Sequence, residues 1–409
     1  MTASLLAWSG STGECAAGHR LDKFAMATDG QSASPDDASS WRCDHVMQSV
    51  DGDADRAHEI YEQAIDANPG DAAVLGGCAV FLETVREDAT AAEAMYVRAL
   101  AVDPVHADTL GEYARFLDVL RADPDRAEEV YERAIAADPN HVDNLWYFAN
   151  FLELHDVRRA QRLYERAVAA DPHHADALGD YARFLASRTW LTGGSWGSPG
   201  HHVRRDMRRA QKMFDRAVAA DPGYVRNLGN YAVFFESMRG DVDSAEQMYD
   251  RAAAADPDDA CNLGNYALFL EDVRHDVDRA ERMYDRAIAA DRDDAHNLKN
   301  YALFLGIVRG EMSRGEQTYD RAIAVAPGLC VLENYAVLVE NLLGANLGTP
   351  ASDGGLGFVE EQEDVDRAKQ MDQRSGEAAE CTHRVVSGQH SRGRHGVRQR
   401  QGPDGRRFL

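Results

Sequence analysis

The sequence predicts an all-α protein, a solenoid of antiparallel helix pairs with disordered termini, and three observations carry that prediction. A phrase Ala-x-x-x-Tyr-x-x-Ala-x-x-x-x-Pro returns again and again along the 409 residues. A second phrase, Leu-x-x-Tyr-Ala-x-Phe-Leu, falls between its copies. Both place apolar residues at i, i+3, i+4 and i+7, which is one stripe of a helix and not the alternation of a strand.

The first phrase begins with Ala57, Tyr61, Ala64 and Pro69, and its aromatic returns at Tyr96, Tyr131, Tyr164, Phe214, Tyr249, Tyr284 and Tyr319. The usual step is 35 residues, with one of 33 before Tyr164 and one of 50 before Phe214. The second phrase stands at Leu110 to Leu117, Leu178 to Leu185, Leu263 to Leu270 and Leu298 to Leu305. Each unit therefore reads as a helix, a short turn such as Arg274-His275-Asp276, a second helix and a break. Asp276 and Asp278 are placed to cap the second helix. The Asp-Pro steps at Asp221-Pro222 and Asp256-Pro257 end it, because the residue before proline avoids the helical region. Ala267 and Ala280 mark close approach of two helix backbones, while Tyr266, Leu270 and Tyr284 fill the space between pairs. A single pair cannot bury both faces of its stripe, so stability comes from stacking neighbours.

The chain divides into a weakly structured segment over residues 1–52, the repeats over 53–344, a Gly-rich linker with a degenerate helix over 345–375 and a basic disordered tail over 376–409. A Gly-rich loop insertion at about 188–207 accounts for the long step. The formal net charge of −25 resolves into −4 for residues 1–52, −21 for 53–344, −6 for 345–380 and +6 for 381–409. Such an acidic body argues against a bare nucleic-acid scaffold. No run of 18 apolar residues spans a bilayer, and Leu5 to Trp8 is too short for a signal-peptide core. Six cysteines without a CxxC pair or dense spacing read as free thiols in a reducing compartment, which points to the cytoplasm. The sequence lacks GxSxG, HExxH and a phosphate-binding loop. The His173-His174 and His201-His202 pairs read as solvent-exposed side chains and not as metal ligands. The reading is a protein that is not an enzyme, with no cofactor and no metal.

The two phrases together resemble tetratricopeptide repeats, whose second helix carries a small residue, an aromatic four later, alanine three after that and proline five further on. Leu263, Tyr266, Ala267 and Leu270 match the family's first-helix series. The chain departs in its period, with one added residue assigned to the turn within each pair, and in writing Tyr-Ala where Leu-Gly is commoner. The wording is also similar to half-a-TPR repeats of RNA-processing scaffolds, although the recurring proline and the first-helix alanine favour the tetratricopeptide reading.

The resemblance implies a right-handed superhelix whose first helices line a concave groove for an extended peptide or a partner helix, hence a non-catalytic scaffold for protein partners. Two residues beyond the first Leu of each phrase the series runs Gly77, Glu112, Tyr147, Asp180, Asn230, Asn265, Asn300 and Asn334. In some members of the family an asparagine ladder at this place grips a peptide backbone, since an amide offers both a donor and an acceptor. Six residues further on lie Glu83, Asp118, Glu153, Glu236, Glu271 and Glu340, an acidic row that would draw a basic partner. Trp190 and Trp196 in the insertion are candidate aromatic anchors. The basic tail is a candidate internal ligand for the acidic groove. Its arginines also support the alternatives of an RNA-associated scaffold binding through the tail, or of a regulatory array for an enzyme on another chain.

Overall fold

The computed structural model describes residues 41–50, 52–191 and 201–326. The linker, the degenerate helix, the basic tail, Asn334 and Glu340 lie outside them. The chain forms two compact units, Met1–Pro257 and Asp258–Leu409. Every described regular element is helical. No described helix is long and apolar enough to cross a membrane.

In the first unit the helices are α1 (Cys43–Ser49), α2 (Ala54–Ala67), α3 (Ala72–Thr84), α4 (Ala89–Val102), α5 (Ala107–Val119), α6 (Pro124–Ala137), α7 (Val142–Leu152), α8 (Val157–Ala170), α9 (Ala175–Leu191), α10 (His201–Ala220), α11 (Val225–Phe234) and α12 (Val242–Ala255). The second unit holds α13 (Ala260–Phe269), α14 (Val277–Ala290), α15 (Ala295–Leu303) and α16 (Met312–Val325). From α3 onward each odd-numbered helix carries the Leu-x-x-Tyr-Ala phrase or a near copy of it, and packs most extensively on the even-numbered helix that follows it. The reason is the small residues: Ala57, Ala92, Ala127, Ala160, Ala210, Ala245 and Ala280 are fully buried, as are Tyr61, Tyr96, Tyr164 and Tyr284. Alanine lets the backbones meet, and the aromatic ring fills the wedge beside it.

Six of the even helices share one start signal, while α16 starts at Glu311 without a side-chain cap bond. Asp53, Asp88, Asp123, Asp156, Asp241 and Asp276 are N-caps whose carboxylates accept backbone N–H groups of the first turn. Five odd helices, α3, α5, α11, α13 and α15, share one stop. The chain turns through a left-handed residue at Glu87, Ala122, Gly240, His275 or Gly310. The following N–H then reaches back six residues, as in Asp88 to Leu82 O at 2.9 Å and Asp276 to Leu270 O at 2.9 Å, one residue further than the closing bond of a Schellman cap. In α11, α13 and α15 the last turn widens into π-helix over Phe235–Arg239, Leu270–Arg274 and Phe304–Val308. The added residue of the 35-residue period is absorbed in this turn. The 33-residue copy, where α7 leads directly to Asp156, lacks the left-handed residue.

Two expectations are corrected. The insertion is not simply a loop: α9 runs on to Leu191 and α10 starts at His201, so much of the extra length extends the two helices of one pair. Arg188 in that extension is held by the side-chain carbonyl of Gln161, which keeps the helix going beyond its usual end. The thiols are also not uniform, because Cys43 and Cys78 are free and buried but Cys261 is disulfide-bonded.

Candidate functional site

The odd helices are set side by side within each unit by one polar contact that the packing stripe does not contain. The residue before the phrase's first Leu is Asn144 in α7, Asn227 in α11 and Asn297 in α15, all buried. Their Nδ2 groups donate to Ala107 O, Ala175 O and Ala260 O on the preceding odd helix, each at 2.9 Å. The residue after that Leu is the reciprocal. A Cβ on Gly111, Gly179 or Gly264 would stand 1.8, 1.8 or 1.9 Å from Oδ1 of Asn144, Asn227 or Asn297. Glycine is required because the amide occupies the space of a side chain. Where Trp146 replaces this glycine, the next odd helix carries Ala177 in place of asparagine, and Trp146 Nε1 donates to Asp180 at 2.8 Å.

The starts of α5, α7 and α9 carry histidine N-caps. Nδ1 of His106, His141 and His174 accepts from the N–H of Thr109, Asn144 and Ala177. In the neutral ring this leaves the proton on Nε2. His141 Nε2 then donates to Asp108 at 2.7 Å and His174 Nε2 to Asp143 at 2.9 Å. The bond to Asp108 raises the His141 pKa against the opposing effect of burial. Burial opposes the charge on His174 as well, yet Asp143 draws its pKa up.

Across four of the described pairs, an acid near the end of the odd helix receives the tyrosine of the even helix. Tyr96 Oη donates to Glu83 at 2.8 Å, Tyr249 to Glu236 at 3.2 Å and Tyr284 to Glu271 at 2.9 Å. Tyr164 makes the same bond to Glu153. Burial raises the pKa of Glu153 although Arg183 opposes it, and burial lifts Glu271 to about 7. In the pair that has Phe214 in place of the tyrosine, the acid's place is taken by Ala186.

Matches to the tetratricopeptide repeat family cover residues 150–188 and 204–263. The chain carries tetratricopeptide repeats. In fold it is similar to yeast Tom70, at 13% identity and a TM-score of 0.54 over 80% of this chain and 69% of that one. The human IFIT1 dimer with m7Gppp-AAAA matches at 15% identity and a TM-score of 0.50 over 71% of this chain and 72% of that one. No curated protein matches the chain in sequence.

The acidic row predicted to face a partner is therefore bonded first within its own repeats. Glu83 is only 4% exposed and also holds Arg115 at 2.8 Å, while Glu153 holds Arg183 at 2.8 Å. Asp118 on α5 is partly buried, and burial raises its pKa. The ladder series divides. Glu112 accepts from Tyr147 Oη at 3.1 Å and from Arg115 Nε at 3.0 Å. Burial opposes the charge on Asp180, yet Arg226 and Arg183 hold its pKa below the ordinary value. Asn230 on α11 has no hydrogen-bond partner among the described residues, and Asn265 on α13 makes only a 3.8 Å contact with Cys261 Sγ. The Nδ2 of Asn300 on α15 is buried without a partner. Trp190 falls in the last turn of α9; its side chain and Trp196 lie outside the described residues.

Proposed function

We propose that this tetratricopeptide repeat protein is a non-catalytic scaffold whose odd-helix faces bind an extended, basic segment of another protein. The observation that supports the reading is the buried, unpartnered amide of Asn300, at the place that Tyr147 and Asp180 fill with bonds inside the fold. A buried donor without an acceptor costs about 1–3 kcal/mol, and a peptide carbonyl would restore the bond. Asn230 and Asn265 offer the same group with room to accept and donate. The odd helices around the first of these places add carboxylates, which favour a basic ligand.

The test is a fluorescence-anisotropy screen of extended dodecapeptides against the full chain. The best binder is then titrated into Asn265→Ala and Asn300→Ala, both in the second unit, singly and together. The double variant is expected to lose at least about tenfold in affinity without a fall in melting temperature. Unchanged affinity would refute the reading. The likeness to IFIT1 supplies the rival ligand: tight binding of m7Gppp-AAAA, competing with the peptide, would instead favour an oligonucleotide reader. The carboxylates of Glu112 and Asp180 argue against that outcome, since they repel phosphate.

A further inference from the structure

Immediately before α1 the chain leaves helical geometry: Arg42 is extended, with φ −60° and ψ 139°. The backbone there crosses the face of α3 at Gly77, where the Trp41 carbonyl oxygen is 1.9 Å from the place a Cβ would take. Tyr61 Oη donates to the same carbonyl at 3.1 Å. Gly77 is the first position of the ladder series, and Glu112 and Tyr147 are the next two. Arg42 reaches toward that row, with its Nη1 3.7 Å from Asp143 Oδ2 and its Nε 3.6 Å from Asp44 Oδ1. Burial opposes its charge, yet Asp44, Asp143, Tyr147 and Glu112 together hold the guanidinium ionised.

One repeat further, Asp176 and Asp180 stand where Asp143 and Tyr147 stand here. That place is filled by Arg226, which is rooted on α11. It is hydrogen-bonded to Asp176, lies 3.8 Å from Asp180, and sits over the rings of Trp146 at 5.9 Å and Tyr224 at 5.5 Å. Tyr224 Oη donates to Asp176 at 2.6 Å. The odd-helix face thus takes a guanidinium at two successive places. The second is built in by hydrogen bonds and stacking. The first is held by charge alone, beyond hydrogen-bond distance, by a residue whose side chain is 49% exposed.

We propose that Glu112, Asp143 and Tyr147 form a binding site for an arginine side chain of a partner peptide, and that the Trp41-Arg42 segment is its displaceable internal occupant. This deepens the peptide-binding reading and names the side chain recognised. A partner must displace Arg42, so its apparent affinity is divided by the fraction of molecules in which the site is open. Guanidinium is favoured over ammonium because Arg is less strongly hydrated and lies flat against an aromatic ring such as Tyr147.

Fluorescein-labelled octa-arginine and octa-lysine are titrated by anisotropy into the full chain and into Arg42→Ala, Arg42→Ala/Asp143→Asn and Arg162→Ala. Arg162 is exposed on α8 and controls for net charge. Arg42→Ala is expected to bind octa-arginine about fivefold tighter, the scale of one displaced exposed ion pair, with a smaller gain for octa-lysine. Adding Asp143→Asn is expected to abolish the gain, and Arg162→Ala to leave affinity at the wild-type value. Equal affinity for wild type and Arg42→Ala, or an equal gain from Arg162→Ala, would overturn the proposal. Either result leaves the asparagine titration standing, so the two readings fail separately.

Discussion

Glu271 offers the most direct measurement of what the repeats cost to build. Its carboxyl lies at the end of α13 and accepts from Tyr284 Oη at 2.9 Å, while burial, with a smaller contribution from Asp272, lifts its pKa to about 7. The unfolded value is near 4.5. Between those two values the native state binds the proton that the unfolded chain has released, so stability falls as pH rises across the window and is level above it. A difference of roughly 2.5 units at about 1.4 kcal/mol each gives about 3 kcal/mol, and partial solvent contact lowers the expectation to about 2 kcal/mol. Glu271→Gln keeps an acceptor for Tyr284 and removes the charge. Urea unfolding at pH 5, 6, 7 and 8 is expected to show the variant more stable than wild type at pH 8 by about 2 kcal/mol and equal to it near pH 5. Two parallel pH profiles would refute burial as the cause. A carbon-13 NMR titration of the Glu271 carboxyl gives the same pKa without unfolding the array.

Two further outcomes follow from the backbone. Ala122 adopts φ 49° at the turn where Gly240 and Gly310 stand in other repeats. The left-handed conformation costs a non-glycine residue about 1–2 kcal/mol, and glycine's freedom in the unfolded chain returns part of that. Ala122→Gly is expected to stabilise by about 0.5–1 kcal/mol in urea unfolding, and Gly240→Ala to destabilise. Gly111→Ala places a methyl 1.8 Å from Asn144 Oδ1. It is expected to cost about 2–4 kcal/mol from overpacking and the lost bond to Ala107. Gly111→Ala/Asn144→Ala is expected to cost less than the two single changes added together, which a double-mutant cycle measures.

The pairing of helices was legible because alanine, aromatic and proline recur at helical spacing, and nothing but stacked helices buries such stripes. The aspartate caps were equally legible, since a cap bond is local and needs only Asp276 and the next turn. The left-handed residues at Glu87, Ala122 and His275 were not, because only Gly240 and Gly310 advertise that geometry in their side chain. At the candidate site, periodicity located the ladder and acidic positions but gave no information on their partners. Glu83 and Glu153 looked like a free wall because exposure depends on what the neighbouring helix presents, and the tyrosine of the Tyr284 series reads in sequence as packing alone. The Asn144, Asn227 and Asn297 series carries its own signal, a polar residue beside the first Leu of the phrase, matched one repeat earlier by glycine.

Two departures from the repeat come in compensating pairs, although Gly306 replaces the acid opposite a retained Tyr319, and such exchanges mark positions that build the array. Phe214 comes with Ala186, so the tyrosine and its acid are lost together. Trp146 comes with Ala177, so a filled glycine site comes with a shortened asparagine. Both are exchanges across an interior contact, where a change on one side leaves a void or an unpartnered group on the other. The ladder places behave otherwise. Glu112, Tyr147, Asp180 and Asn230 differ in charge, size and hydrogen-bonding character while the helices carrying them keep the same apolar core. Asp180 answers Trp146, and Glu112 answers Tyr147 and Arg115, so these identities follow what each stretch of the face holds, and in the first unit two of those stretches hold an arginine.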